Sequence, residues 1–175
     1  MGDRTVSDHW VPLPEPMARP LTIPRDYGTV GAKRLPWTWA HQRLVSAMVY
    51  WLTTVRPDGS PHVRPVDGNW VDDALFVGGS PKAGWIRNLA GDGRATIHLP
   101  DVQGVVIIEG AARQVVPDER LADRLATGAK KYEPMYGPAS PSDYLGKPVW
   151  AVIPYRALGW ERFPTDATGW EFDRV

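Results

Sequence analysis

YWLTTVRPDGSPHVRPVDGNWVDDALFVGGSPKAGWIRNLAGDGRATIHL, residues 50–99, is the stretch that decides the fold. Aromatic and β-branched side chains are frequent in it, and these types suit a pleated, half-buried sheet surface. The pattern predicts strands over Tyr50–Val55, Pro61–Val71 and Ala74–Gly78, then a short helix and a further strand. Because the links between the first three strands are short, we expect these strands to be antiparallel neighbours.

Two short segments carry the turn chemistry. Arg56-Pro57-Asp58-Gly59 combines a proline that fixes φ, an aspartate that bonds its own backbone and a glycine that accepts positive φ. Asp72-Asp73 is expected to turn the chain a second time. Turn chemistry therefore accounts for the aspartates of this stretch without a catalytic role.

The segment after the third strand has the composition of an anion site. Gly78-Gly79-Ser80-Pro81-Lys82 leads into the helix, with Ser80 predicted as its N-cap and Pro81 as its first residue. A helix N-terminus with exposed N–H groups, flanking glycines, a hydroxyl and a lysine favours a bound anion. Arg64 lies on the preceding strand and completes the set if that strand passes beside the helix start. The alternative is a capped surface helix with Arg64 and Lys82 in solvent.

Composition excludes several classes of protein. The 175 residues are enough for one domain with a sizeable core. Lysine plus arginine equals aspartate plus glutamate, at 20 each, so the overall charge does not favour nucleic acid or an anionic membrane as a partner. Cysteine is absent, which excludes disulfides and thiolate metal sites. No apolar run approaches the roughly 20 residues that span a bilayer, and the first residues lack a signal-peptide core, so we expect a cytoplasmic protein.

The remaining chain flanks this centre. Residues 1–35 form a proline-rich arm, expected either to be disordered or to pack in an extended form, for example over a neighbouring subunit. Residues 36–175 form the main domain. Within it the periodicity predicts helices over 36–48 and 118–132, and strands over 102–116, 149–153 and 157–163.

Six or seven mostly antiparallel strands with interposed helices predict a mainly β, α+β fold, a closed or split β-barrel. A doubly wound sheet is excluded because strand–helix alternation does not recur, and neither GxGxxG nor a P-loop is present. The four histidines, His9, His41, His62 and His98, show no spacing typical of metal ligands, so no metal site is expected.

Three segments resemble the flavin and deazaflavin split-barrel superfamily, often called pyridoxamine 5′-phosphate oxidase-like. TTVRPDGSPHVRPV (53–66) is similar to its first hairpin, and LFVGGSPKAGWIRNLAGDGRATIHL (75–99) to the strand, helix and strand that follow. VVIIEGAARQV (105–115) is similar to its next long strand. The likeness extends over roughly residues 37–163 and implies an antiparallel split β-barrel of the FMN-binding type.

The resemblance implies an oxidoreductase that binds FMN or the deazaflavin coenzyme F420 and transfers hydride to or from a small apolar or aromatic substrate. Arg64, Ser80 and Lys82 would hold the phosphate, while four backbone groups would run along the ring system. Trp160 matches a position where relatives place an aromatic residue of a second subunit, which implies a homodimer with the cofactor at its interface. The residues expected to bind the cofactor are Arg64, Pro65, Val66, Val77, Gly78, Ser80, Lys82 and Trp160.

Two other functions stay open from the sequence. One is a non-catalytic carrier of flavin, deazaflavin or haem, in which His62 or His98 would ligate the haem iron. The other is a domain whose site has decayed and whose tryptophan-rich surface serves dimerisation.

The resemblance does not extend to the residues with which the true oxidases bind their substrate. Besides the phosphate of FMN, those enzymes bind the phosphate of the substrate with a second set of cationic residues. Here the residues after Arg64, Pro65 to Asn69, include no cation, and Pro81 precedes Lys82 where those oxidases carry arginine. Their C-terminal R-x-H-D-R element is also missing. We therefore predict that the chain does not oxidise vitamin phosphates.

Overall fold

The structure is a computed structural model that describes residues 10–173. Its strands are β1 (Met17–Pro20), β2 (Tyr50–Val55), β3 (Pro61–Val66), β4 (Asn69–Val71), β5 (Ala74–Val77), β6 (Arg94–His98), β7 (Val105–Val115), β8 (Val149–Trp160) and β9 (Thr168–Glu171). Its α-helices are α1 (Trp37–Ser46), α2 (Gly84–Gly91), α3 (Glu119–Ala129) and α4 (Glu133–Tyr136).

The strands form one antiparallel sheet in the order β1-β9-β8-β7-β6-β2-β3. The long strand β8 is the branch point, because β7 pairs with its whole length while β5 and β9 share its other side. β4 pairs with β5, and β4 is joined to β3 only by Asp67 and Gly68. The hydrogen-bonded sheet of residues 10–173 is therefore strongly branched but not closed, and the predicted antiparallel β fold with flanking helices is confirmed.

Both predicted turns are confirmed, and each has the conformation that its residues favour. Gly59 has φ 82°, and Asp58 Oδ1 accepts from Ser60 N at 2.9 Å, which closes the β2–β3 hairpin. Asp72 and Asp73 have φ 53° and 57°, the positive values that a two-residue hairpin loop requires. The Asp73 carboxylate also accepts a bond from the indole of Trp37 at 3.1 Å, which ties this turn to α1.

The prediction of one strand over Pro61–Val71 is wrong, because the chain bends between β3 and β4. Gly68 packs so closely on β5 that a Cβ there would lie 2.9 Å from the carbonyl oxygen of Phe76. The bend separates two pairings: β3 pairs with β2, and β4 pairs with β5. The chain thus changes partner strand at Asp67-Gly68.

The prediction of two strands, 149–153 and 157–163, is also wrong: residues 149–160 form the single strand β8, and 161–163 lie in the turn after it. Pro154 lies between the residues of β8 that pair with β5 and those that pair with β9, so its missing N–H is not needed on that side. On the other side it faces Gly110 at the irregularity between Glu109 and Gly110 of β7. A proline is tolerated in this long strand for these two local reasons.

The described part of the proline-rich arm, residues 10–35, packs on its own chain. β1 pairs with β9, and Trp10, Leu13 and Leu35 are buried. The ring of Trp10 packs edge-on against Phe76 of β5, with ring centroids 4.8 Å apart. The arm's first nine residues lie outside the described residues, and the predicted domain boundary at residue 35 stays a prediction.

Two hydrophobic clusters lie under the sheet. The larger contains Leu44 of α1, Leu52 of β2 and Trp170 of β9, all fully buried. The smaller joins Trp10 and Phe76 to Leu121 and Leu125 of α3. In the range 10–173, no helix has the length and apolar character needed to cross a membrane.

Candidate functional site

The segment from Gly78 to Lys82 is an exposed loop that leads into α2. Ser80 does not cap the helix as predicted, because α2 begins at Gly84 and Ala83 holds the N-cap position. Instead, Ser80 Oγ accepts from Lys82 N at 3.3 Å, and Ala83 N donates to Ser80 O at 2.8 Å. This local turn competes with the helix and delays its start by several residues. The Ser80 hydroxyl and the Lys82 ammonium still lie on the loop that precedes the helix, as predicted.

His62 connects Arg64 to the start of α2. Arg64 Nε donates to His62 Nε2 at 3.2 Å, and the imidazole ring lies against Gly84. A Cβ at residue 84 would lie 3.4 Å from His62 Cε1, so a larger side chain there would crowd the ring. Strand β3 therefore passes beside the helix start, which is the juxtaposition that the sequence-based hypothesis requires.

The neighbours of His62 fix its orientation and charge. Its Nδ1 lies 3.1 Å from Asn88 Nδ2, and this amide nitrogen donates to Thr54 Oγ1 at 2.9 Å. Partial burial, together with the charges of Arg56 and Arg64, lowers the pKa of His62, so the ring is neutral at pH 7. Because a guanidinium can only donate, Nε2 is the acceptor and Nδ1 carries the ring's proton, and Arg64 is held with its terminal nitrogens available. Asn88 braces α2 against β2 through its bond to Thr54.

His62 is poorly suited to ligate haem, because both of its ring nitrogens already have side-chain partners. His98, the other histidine considered, is exposed and stacks on Trp51 with an interplanar angle of 6°. Among residues 10–173, no group of three or more metal-ligating side chains is present.

The backbone segments predicted to run along a ring system are adjacent. Val66 ends β3, and two residues later Gly68 packs against β5, where a Cβ would lie 3.0 Å from Val77 Cγ1. Val77 is buried, whereas Gly78 and Pro65 are exposed. The end of β3 and the end of β5 thus lie side by side, next to the loop that carries Ser80 and Lys82.

Trp160 is not brought to this group within one chain. It ends β8, whereas Val77 pairs with Trp150 near the other end of that strand, ten residues or about 30 Å away. Its ring packs against Phe163, with centroids 5.2 Å apart, and Phe163 is in turn in contact with Tyr27. Of the eight predicted residues, seven lie in two adjacent segments and Trp160 lies elsewhere.

A second feature, which we call the tyrosine cavity, adjoins the same segments. It has a volume of about 300 Å³ and opens beside Val77 and Gly78. Its lining residues are Asp67, Gly68, Asn69, Phe76, Val77, Gly78, Leu125, Ala129, Tyr132, Tyr136, Gly137, Ala139, Tyr144 and Val149. Sequence reasoning missed this cavity, because the three tyrosines lie outside residues 50–99: Tyr132 ends the predicted helix 118–132, and Tyr136 and Tyr144 lie beyond it. Their recurrence within thirteen residues, 132–144, is the one signal that was present.

The three phenols of the cavity are neutral and held in place. Tyr132 Oη lies 3.0 Å from both Gly68 N and Gly68 O, and Tyr136 Oη donates to Asp67 Oδ2 at 2.6 Å. Burial raises the pKa of Tyr132 and of Tyr144, and the bond to Asp67 raises that of Tyr136. At neutral pH each phenol keeps its proton and remains a hydrogen-bond donor.

A scan against known protein families matches residues 40–158 to the family described as pyridoxamine 5′-phosphate oxidase. The chain belongs to this family. The resemblance inferred from the sequence is therefore confirmed over most of the chain. A search of curated proteins found no match.

Solved structures with the same fold are named for different cofactors. A haem-binding protein from Mycobacterium smegmatis has 24% identity and a TM-score of 0.56, over 76% of this chain and 58% of that one. A protein described as F420 reductase has 20% identity and a TM-score of 0.50, over 66% and 94% of the two chains. An FMN-binding, pyridoxamine 5′-phosphate oxidase-related protein from Nostoc punctiforme has 15% identity and a TM-score of 0.50, over 83% and 100%. These similarities show the fold; the cofactor must be argued from this chain's residues.

Proposed function

We propose that this protein is an oxidoreductase that holds FMN or F420 and transfers hydride to or from a small apolar or aromatic molecule. The observation that carries the proposal is the contact of His62 with both Arg64 and Gly84, since it sets a guanidinium beside the helix start that follows Ser80 and Lys82. Relatives of the same fold that are named for FMN or F420 add support.

The residues present fit the phosphate of such a cofactor. A guanidinium, an ammonium, a hydroxyl and exposed loop N–H groups form a donor set typical of phosphate sites. Arg64, Ser80 and Lys82 are all exposed, so the two charges and the hydroxyl are available without a desolvation cost before binding. We call Arg64, Ser80 and Lys82 the phosphate anchor.

The other predicted residues would orient the ring system through their backbone. Pro65 and Val66 end β3, and Val77 and Gly78 lie at the end of β5, against which the chain packs at Gly68, so their peptide groups would lie beside the anchor. When bound, FMN or F420 supplies a two-electron hydride carrier, so a substrate being reduced gains a hydride and a proton while the reduced cofactor is oxidised. The chain itself would bind the phosphate, orient the ring system and shape the adjoining cavity.

Vitamin phosphates are not the proposed substrates. The tyrosine cavity has Asp67 as the one charged residue among the described residues that line it, so it offers no cation to a second phosphate. Pro81 also stands beside Lys82 where a second cation would be needed. Both observations favour an acceptor without a phosphate group.

We further propose a homodimer in which Trp160 of a second copy approaches the cofactor. Trp160, Phe163 and Tyr27 form a cluster of aromatic rings, of which Phe163 is 42% and Tyr27 61% exposed. Within one chain this cluster lies at one end of β8, whereas β5, which leads to Ser80 and Lys82, pairs near the other end. Light scattering at micromolar concentration should give the mass of two chains, and a cofactor-loaded monomer would contradict the dimer.

Turnover is the experiment that tests the proposed function. We expect the protein, supplied with reduced F420 or reduced FMN, to reduce quinone-like or enone acceptors, and expect no oxidation of pyridoxine or pyridoxamine phosphate with FMN and oxygen. Binding of cofactor without turnover of any acceptor would favour the carrier function. Efficient oxidation of the vitamin phosphates would overturn the proposed substrate class.

A further inference from the structure

A further concave site, which we call the arginine pocket, lies where the β2–β3 hairpin meets the end of α2. Its volume is about 360 Å³, and three of the residues that line it are arginines from different parts of the chain. Arg56 follows β2, Arg87 belongs to α2, and Arg94 begins β6. The three residues of the phosphate anchor do not line this pocket, so the two groups of cations are separate.

Strand pairing and one side-chain hydrogen bond bring the three arginines together. Strands β2 and β6 are antiparallel, with Thr54 opposite Ala95, so the arginines that follow β2 and begin β6 lie at the same end of the two strands. Asn88 Nδ2 donates to Thr54 Oγ1 at 2.9 Å, which holds α2 near that end and places Arg87 on the same pocket. The packing of sheet and helix therefore gathers the guanidinium groups.

The charges of the arginine pocket do not balance, although the formal net charge of the whole chain is zero. Asp92 is the one carboxylate among the described residues that line the pocket, and Arg94 already pairs with it, with Nε 3.0 Å from Oδ1 and Nη2 2.6 Å from Oδ2. Three guanidinium groups against one carboxylate leave an excess of two positive charges. The carboxyl end of α2 adds about half a negative charge, which does not cancel this excess.

The guanidinium groups are oriented and still have donors to offer. Arg56 Nη1 donates to Ser60 Oγ at 3.2 Å and to Pro61 O at 2.5 Å, which fixes that side chain along the hairpin. The side chain of Arg87 has no hydrogen bond or ion pair with the described residues. Asp58 of the same hairpin does not line the pocket, and its carboxylate accepts from Ser60 Oγ at 2.6 Å. The excess charge is therefore available to a bound anion.

We propose that the arginine pocket binds a small molecule that carries two or more oxyanion groups, either phosphates or carboxylates. The planar fork of a guanidinium matches both groups with paired N–H bonds. Because the three arginines are exposed, a single ion pair contributes little, and a ligand with one anionic group would bind weakly. A ligand that bridges two or three of them combines these contributions in one molecule.

The position of the arginine pocket makes this inference independent of the proposed function. The pocket lies at the hairpin end of β3, whereas the other end of that strand leads to Asp67 and the tyrosine cavity. The ring-binding segments and the arginine pocket therefore lie toward opposite ends of β3, and either assignment can fail without the other.

Titration of the full chain with matched anions tests the ligand class. Pyrophosphate is compared with inorganic phosphate, and citrate with acetate, by two-dimensional amide NMR. The amides of Gly59 and Gly91 report on the arginine pocket, and those of Gly78 and Gly79 report on the loop of the phosphate anchor. We expect pyrophosphate or citrate to shift the signals of Gly59 and Gly91, and to bind at least about tenfold more tightly than its counterpart with one anionic group. A response to one of them alone assigns the pocket to phosphates or to carboxylates, and no shift of these two signals by either would overturn the proposal.

A charge added to the pocket gives a second test that needs no change in packing. A Cβ at residue 91 would meet no atom within 4 Å, so Gly91→Glu adds a carboxylate to the pocket wall without displacing a neighbour. Gly91→Gln is the matched control, because it has nearly the same size and no charge. We expect Gly91→Glu to weaken binding of the responding anion about fivefold or more, and Gly91→Gln to leave it within about twofold of the wild type.

Removal of one guanidinium completes the experiment, with the amide of Gly59 as the readout in every variant. Arg87→Gln should weaken binding about fivefold, since it removes a cation that has no partner in the chain. Arg25→Gln removes the same charge from an exposed position outside the pocket and should change the affinity little. Equal losses for Arg87→Gln and Arg25→Gln, or equal affinities of Gly91→Glu and Gly91→Gln, would show attraction to the net charge alone and overturn the proposal.

Discussion

The phosphate anchor and the tyrosine cavity adjoin each other at Gly78, yet opposite chemistry builds them. The anchor consists of exposed side chains, with two cations and a hydroxyl on a loop and a strand. The cavity is lined by apolar side chains, one carboxylate, one amide and three tyrosines, of which Tyr132 and Tyr136 are fixed by hydrogen bonds to backbone or carboxylate. Exposed cations can recognise a phosphate without prior desolvation, whereas an unpaired charge inside the cavity would be costly.

Under the proposed function, recognition would be divided between these two places. The anchor would bind one phosphate, and the carboxylate of Asp67 would disfavour a second anion in the cavity next to it. The predictions below separate the two regions by changing one at a time.

The largest expected effect is on stability, from the arm residue that packs behind the cavity wall. Trp10 is buried against Phe76, so Trp10→Ala should lower the free energy of unfolding by about 3–5 kcal/mol. Chemical denaturation measures this change. Val11→Ala is the matched control, since Val11 is 67% exposed on the same arm and should change little. A loss for Trp10→Ala below about 1 kcal/mol would mean that the arm does not support the cavity.

The second largest effect is expected on cofactor affinity, when either cation of the anchor is removed. Charge-assisted bonds to phosphate contribute about 1.5–3 kcal/mol each, so Arg64→Ala or Lys82→Ala should weaken cofactor binding by roughly one to two orders of magnitude. Neither substitution opens a core cavity, because both side chains are exposed, and the fold should survive. Arg25→Ala, at another exposed arginine, is the control. Unchanged cofactor affinity in both variants would contradict the assignment of Arg64 and Lys82 to the phosphate anchor, and would say nothing about the tyrosine cavity.

A smaller effect is expected from the residue that positions Arg64. His62→Leu removes the acceptor for Arg64 Nε and should weaken cofactor binding about fivefold, whereas His62→Gln retains an acceptor and should restore most of it. Equal losses for Leu and Gln would indicate that His62 acts through packing against Gly84 and not through Arg64.

The smallest effect concerns Lys131, the cation on the cavity side that we regard as structural. Burial lowers its pKa to about 8, below the value of an unfolded lysine. Between those two pH values the unfolded chain binds more protons, so the free energy of unfolding should rise with pH above 8, by at most about 1.4 kcal/mol per pH unit. The raised pKa of Tyr50 and Tyr132 opposes this above pH 10. Lys131→Met should lack the rise between pH 8 and 9.5; the same slope in both proteins would contradict the assignment.

Much of the fold could be predicted because local chemistry decides it. The turns at Gly59 and at Asp72-Asp73 follow from residues that accept positive φ, and α3 follows from its apolar periodicity and its Asp118 cap. Pro154 and Gly68 were misjudged because their roles depend on which strands lie beside them. A proline is read from sequence as a strand break, yet here it lies between two partner strands.

The candidate site likewise contains residues that could be predicted from the sequence and residues that could not. Arg64, Ser80 and Lys82 could be selected because charge and glycine content are visible in the sequence, although the helix starts later than Ser80 implied. Asn69 and the tyrosines could not, since their relation depends on α3 and α4 packing across the β3–β4 bend.

The phosphate anchor is tested most directly by comparing cofactors with and without phosphate on the wild-type protein. Affinity is titrated by absorbance and fluorescence for FMN against riboflavin, and for F420 against its phosphate-free deazaflavin chromophore. We expect that, for at least one pair, the phosphate-bearing form binds about tenfold or more tightly. Equal affinity within both pairs, or no binding of any of the four, would contradict it.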